Sequence, residues 1–232
     1  MAILKNEIAK KTRGRPKLDL IYKCRTQVWL YAVSMASGRM TPAQLELLFC
    51  DMKSAGKHTP SNRPGLWGKY ESGKVSPRIH SRNGKQSIVD RVEERFPGTA
   101  YWIKIPFWNL LTAKHMSMDD LKQIYMSFEP NVRDLIIMEE TDDKYPWCWR
   151  TQDDLEEICE ELLKIGDIDA ISAILCLFRE AKLKQSIIEF QFIYEYWIQC
   201  LAIINGLPLL STHSFFFELT MDEMIEGKKD FW

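Results

Sequence analysis

Signatures of catalysis are largely missing from this chain. Its six cysteines, Cys24, Cys50, Cys148, Cys159, Cys176 and Cys200, form no Cys-x-x-Cys pair and share no zinc-ligand spacing with histidine. The four histidines, His58, His80, His115 and His213, are scattered and build neither His-Glu-x-x-His nor the arginine–histidine pair of helical ribonucleases. No Gly-x-Ser-x-Gly elbow is present. Residues Gly68 to Lys74 fit the spacing of a nucleotide phosphate loop, but Val75 stands where a hydroxyl must ligate magnesium and no apolar strand precedes. Glu180-Ala181-Lys182 has the Glu-x-Lys spacing of a nuclease site but lies in a helical pattern. The expectation is no catalytic residue, no metal and no cofactor, with reduced, buried thiols. A toxin or nuclease is the enzyme alternative.

Long uncharged apolar runs are lacking too. The best stretch, Ile187 to Ile204, is interrupted by Glu189, Gln191, Glu195 and Gln199, and the charged N-terminus has no apolar leader segment. A cytoplasmic, nucleoid-associated protein with no membrane partner is expected.

What is present is enough apolar material for a core: 46% hydrophobic and 12% aromatic residues over 232 positions. The net charge of −1 conceals a division. Residues 1–95 carry 19 Lys and Arg against 8 Asp and Glu, a balance of +11, and residues 96–232 carry −12. A basic half of this kind suits a polyanion, and the acidic half suits a protein partner or self-association.

Helical signals run almost throughout. Cys24 to Ser37 places Val28, Trp29, Ala32, Val33 and Ala36 at helical spacing, and Gly38 stops it. Thr41 caps a second helix with Pro42 first and Leu45, Leu48, Phe49 and Met52 inward. Pro60 to Gly73 reads as a third, capped by Ser61 or Thr59, with Pro64 in its first turn, Trp67 and Tyr70 on one inward face, and Gly73 as its left-handed stop. Asn62, Arg63 and Lys69 remain outward, where amides and cations suit a DNA groove. Residues 74–85 carry Lys74, Arg78, His80, Arg82 and Lys85 with no acid: a phosphate clamp, or a solvated loop. Gln86 to Phe96 is amphipathic, with Ile88, Val89, Val92 and Phe96 inward.

The end of the third helix, WGKYESGKVSPR, resembles the segment closing the recognition helix of phage-repressor/Cro-type helix-turn-helix domains. Glu71, Gly73, Lys74, Ser76 and Pro77 stand at the positions of that family's Glu-x-Gly-Lys-x-Ser-Pro-like turn, within a resemblance covering about residues 22–96. The family's tight turn before the recognition helix is replaced by the longer SAGKHTPSNRP. Ahead of it, Arg13-Gly14-Arg15-Pro16 with Lys17 resembles an AT-hook, whose extended chain lies in a narrow A·T minor groove. These resemblances imply double-stranded DNA as partner, with Arg13 and Arg15 in the minor groove and Lys17 beside them on the DNA; the outward face of the third helix puts Asn62, Arg63 and Lys69 on major-groove edges, and the charge of the loop puts Lys74, Arg78, Arg82 and Lys85 on phosphates.

An apolar connector follows, with Trp102, Ile103, Ile105, Phe107, Trp108, Leu110 and Leu111 packing the two halves together; a small β element around Trp102 to Phe107 is compatible with it. Ser117, Thr151 or Asp153, Asp167 or Asp169, and Ser186 open successive helices, and the nearly all-round apolar Ile187 to Asn205 suits a bundle centre or a dimer interface. The expected fold is mostly all-α, an N-terminal helix-turn-helix-like domain plus a C-terminal helical bundle. It divides into a basic arm (1–20), a DNA-binding domain (21–98), a packed connector (99–117) and an acidic helical domain (118–232). The function implied is a sequence-specific, prokaryotic or phage-type DNA-binding regulator, the expected partners being a second copy or another protein through the acidic half. The alternative is a non-catalytic DNA- or RNA-tethering adaptor of a transposition or phage-defence complex.

Overall fold

A computed structural model describes residues 20–49, 65–112, 116–138, 148–149, 155–213 and 217. The described chain is mostly helical. Its helices are α1 (Leu20–Ala36), α2 (Pro42–Phe49), α3 (Leu66–Glu71), α4 (Ile88–Arg95), α5 (Tyr101–Lys104), α6 (Phe107–Thr112), α7 (Met118–Ser127), α8 (Pro130–Ile136), α9 (Leu155–Ile165), α10 (Ile168–Leu183) and α11 (Ile187–Gly206). A two-residue antiparallel pair joins β1 (Ile137–Met138) to β2 (Cys148–Trp149), in register Ile137 to Trp149.

Local signals account for most helix ends. Thr41 and Gln44 cap α2 reciprocally: the Gln44 amide donates to Thr41 Oγ1 and the Thr41 amide to Gln44 Oε1. Ser117 and Asp120 do the same for α7, and Ser87, Asp167 and Ser186 cap α4, α10 and α11. Gly38, at φ +72, closes α1.

Two apolar clusters make the interior. The smaller gathers Trp29, Leu30 and Val33 of α1 with residues of α2 to α5, including Phe49, Trp67, Tyr70, Val92 and Ile103. The larger gathers Ile21, Cys24 and Val28 of α1 with α6 to α11. One helix therefore serves both, and the connector is divided likewise: Ile103 enters the smaller cluster, and Ile105, Phe107, Trp108, Leu110 and Leu111 the larger. Two arginines tie it down. Arg25 Nε donates to the Ile103 carbonyl at 2.6 Å, and Arg179 Nε to the Leu110 carbonyl at 2.9 Å, each taking a carbonyl near the end of a short helix. The β element compatible with Trp102 to Phe107 is absent there; α5 and the start of α6 occupy that stretch.

The central helix is α10 rather than α11. Every residue from Ala170 to Phe178 is buried, because this stretch has no charged side chain and its small residues admit close neighbours. Helix α11 buries Ile193, Trp197, Cys200 and Ile204 and leaves Ile187, Ile188 and Ile198 exposed. By length and composition alone α11 could cross a membrane in spite of Glu189, Gln191, Glu195 and Gln199; 28% of its most apolar window is buried within the fold.

Candidate nucleic-acid interface

Helix α3 is short and held by α1 and α2. Trp67 stacks on Trp29 with ring centroids 5.7 Å apart and on Phe49 at 5.5 Å, and Tyr70 meets Trp29 edge-on at 5.9 Å. Burial and the nearby Glu46 carboxylate push the Tyr70 phenol up to about 12, against the opposing pull of Arg78.

The start of α3 differs from the expectation. Gly65 is extended, at φ −60 and ψ −175, and makes no side-chain cap. The first helical amides are served from α2 instead: Glu46 Oε2 accepts from the Trp67 amide at 2.8 Å. Thr59, Ser61 and Pro64, the expected start of this helix, lie outside the described residues; in the described helix a tertiary carboxylate does the work of a local cap. Asn62 and Arg63 precede α3 and lie outside the described residues, so Lys69 is the one base-reading candidate on the helix itself.

The helix ends as its sequence requires. Gly73 sits at φ +61, its amide donates to the Tyr70 carbonyl at 2.9 Å, and the Lys74 amide donates to the Lys69 carbonyl at 2.9 Å, the paired bonds of a Schellman stop. Gln27 Nε2 of α1 donates to the Glu71 carbonyl at 2.9 Å.

Beyond Gly73 burial alternates. Val75 and Ile79 pack on the smaller cluster and Pro77 is buried, whereas Lys74, Arg78 and His80 are exposed. Apolar residues at 75, 77 and 79 thus leave Lys74, Arg78 and His80 outward. The chain then reverses at Arg82-Asn83-Gly84-Lys85. Asn83 and Gly84 have φ +52 and +69, as a type I′ turn requires, and Arg82 and Lys85 exchange backbone hydrogen bonds of 3.1 and 3.0 Å. Asn-Gly is the strongest local signal for such a turn, one the loop assignment for 74–85 passes over.

Asp90 anchors the base of this turn. Its carboxylate accepts from Ser87 Oγ at 2.7 Å and Ser81 Oγ at 3.3 Å, and pairs with Lys104 Nζ at 2.9 Å. Hydrogen bonds from Ser87, then Lys104, hold it down at about 2.

Five sequence-predicted site residues, Lys69, Lys74, Arg78, Arg82 and Lys85, are exposed along this one stretch between α3 and α4. None has a carboxylate within ion-pair distance among the described residues, as is true also of Lys23, Arg39 and Arg95, whereas Lys104, Lys122, Arg133, Lys164 and Lys184 each have one. Arg13, Arg15 and Lys17 lie outside the described residues. Lys23, not singled out by its sequence context, lies beside Gly73.

Residues that resembled catalytic motifs have other occupations. Glu180 is buried, accepts from the Tyr125 hydroxyl at 2.8 Å and pairs with Lys184 at 2.7 Å. Gly68 to Lys74 belongs to α3 and its stop. Cys24, Cys159, Cys176 and Cys200 are buried, and burial pushes the Cys24 thiol up to about 11 and Cys200 to about 12, away from the reactive thiolate. No protein-family model, curated protein or solved structure matches the chain.

Proposed function

We propose that this chain is a non-catalytic, sequence-specific DNA-binding regulator, and that the stretch from Lys69 to Lys85 is its contact with the duplex backbone. The observation that carries the reading is the gathering of five exposed cations on one short stretch, none with a counter-ion among the described residues. A surface that leaves its cations unneutralised on one stretch is arranged to release counterions when it meets phosphates. The Schellman stop and the aromatic grip hold α3 rigid behind that stretch, which favours a defined register on the duplex. Lys69, with Asn62 and Arg63, supplies base-reading groups in this proposal, and Arg13, Arg15 and Lys17 supply a minor-groove arm.

The test is fluorescence-anisotropy binding to a random duplex pool, with selection and sequencing, at two salt concentrations. Enrichment of one motif is expected. Lys74, Arg78, Arg82 and Lys85, the cations placed on phosphates, should contribute up to about −3.6 to the salt slope, at roughly −0.9 per neutralised phosphate. Binding that is absent, or insensitive to replacing the five by glutamine, would refute the reading.

A second reading, an adaptor within a nucleoprotein complex, draws on the exposed Glu156, Glu157 and Glu160 of α9 and the exposed isoleucines of α11. Salt-sensitive binding with no enriched motif, together with a stable hetero-complex, would favour it.

A further inference from the structure

We infer that Arg82 and Lys85 act as a two-cation pincer on a single phosphate of the nucleic-acid backbone, held ready by the turn between them; this rests on the DNA-binding reading above. In a two-residue hairpin turn the flanking residues form a hydrogen-bonded pair, their Cα atoms about 5.5 Å apart and their side chains on the same face. Arg82 and Lys85 are that pair here. Like charges directly opposite one another destabilise such a pair. Among the described residues no carboxylate relieves it, because the next acids in sequence are engaged elsewhere: Asp90 by Ser81, Ser87 and Lys104, Glu93 by the Gly98 and Ala100 amides, and Glu94 by Gln86. One phosphate between the two side chains neutralises both at once, and the guanidinium offers it a two-pronged donor face.

The turn also minimises what binding must order. Asn83 and Gly84 already occupy the left-handed region, and the base of the turn is tied to α4 and to Lys104 through Asp90. The tip carries no bulk, and a Cβ built on Gly84 meets nothing within 4 Å. A substitution there acts through backbone conformation alone.

The experiment measures duplex affinity against salt for the full chain and for Arg82→Gln, Lys85→Gln, the double variant and Gly84→Ala. A shared phosphate predicts that each single glutamine leaves the salt slope nearly unchanged and that the double variant lowers it by about 0.9. The affinity lost between 50 and 200 mM salt then shrinks by about 3.5-fold in the double variant, since fourfold salt raised to 0.9 gives that factor. Gly84→Ala should weaken binding with every charge in place. Each glutamine variant alone should unfold, without nucleic acid, at the wild-type temperature or above it. A slope falling by about 0.9 in each single and about 1.8 in the double variant assigns two separate phosphates and overturns the pincer while leaving DNA binding standing. Failure of the wild-type chain to bind any duplex overturns both.

Discussion

Replacing Gly73 by alanine tests how the basic stretch is held. Gly73 ends α3 at φ +61, where an L-residue costs roughly 1–2 kcal/mol over glycine. Space is short as well: an added Cβ would lie 2.1 Å from Lys23 Cγ and 2.9 Å from Cδ. Cγ is close to its own backbone, so the Lys23 stem must change rotamer, at a cost on the order of 0.5–1.5 kcal/mol. The two contributions total about 1.5–3.5 kcal/mol. At roughly 2–4 °C per kcal/mol for a chain of this size, Tm should fall by about 3–14 °C. Urea unfolding followed by tryptophan fluorescence reads the loss where Trp29 and Trp67 stack. In a Lys23→Ala background the clash is gone and only the backbone cost of roughly 1–2 kcal/mol should remain, leaving a coupling of about 1 kcal/mol in the double-mutant cycle. A Gly73→Ala protein within about 0.5 kcal/mol of wild type, or a Lys23→Ala background that recovers nothing, would refute the packing argument.

Three further outcomes are expected. Glu46→Ala removes the carboxylate that accepts from the Trp67 amide and should cost about 0.5–2 kcal/mol in unfolding free energy, as loss of a helix cap does. Tyr125→Phe takes a hydroxyl from the buried Glu180 carboxylate and should cost about 1–3 kcal/mol; an unchanged denaturation midpoint would mean that this hydrogen bond contributes nothing net. At acid pH the α4–α5 region should weaken. Asp90 is held down at about 2, and at Glu93 the Ala100 and Gly98 amides and the Thr99 hydroxyl outweigh the upward push of partial burial and lower its pKa. A depressed carboxylate stabilises the fold fully above its ordinary range, and that stabilisation is lost as pH falls from 3.8 towards 2 for Asp90. Asp90→Asn should flatten the stability curve across this window, and an Asp90 carboxyl seen by NMR to titrate near its ordinary value would contradict the anchoring role.

The helical character of this chain, several of its helix ends and the inward face of α3 are local properties, and the sequence by itself determined them. Thr41 with Gln44, Ser117 with Asp120, Asp167 and Ser186 each act on amides two or three residues away, and Gly38 and Gly73 each close a turn within six residues. Trp67 and Tyr70 face inward because they stand three apart. The division of charge at about residue 95 was equally legible. Tertiary structure alone decided where α3 begins, since its amide is met by Glu46, 21 residues earlier. It also made α1 the helix shared by both clusters and placed Arg25 on a carbonyl 78 residues away. The candidate site depends on both kinds of information. Its cations could be counted in the sequence, but their lack of counter-ions could not, because Asp90 is drawn to Lys104 only after α4 and α5 have packed. Partners this far apart leave no periodicity or spacing to read; a charge is free or paired only once the chain has brought the two groups to the same place.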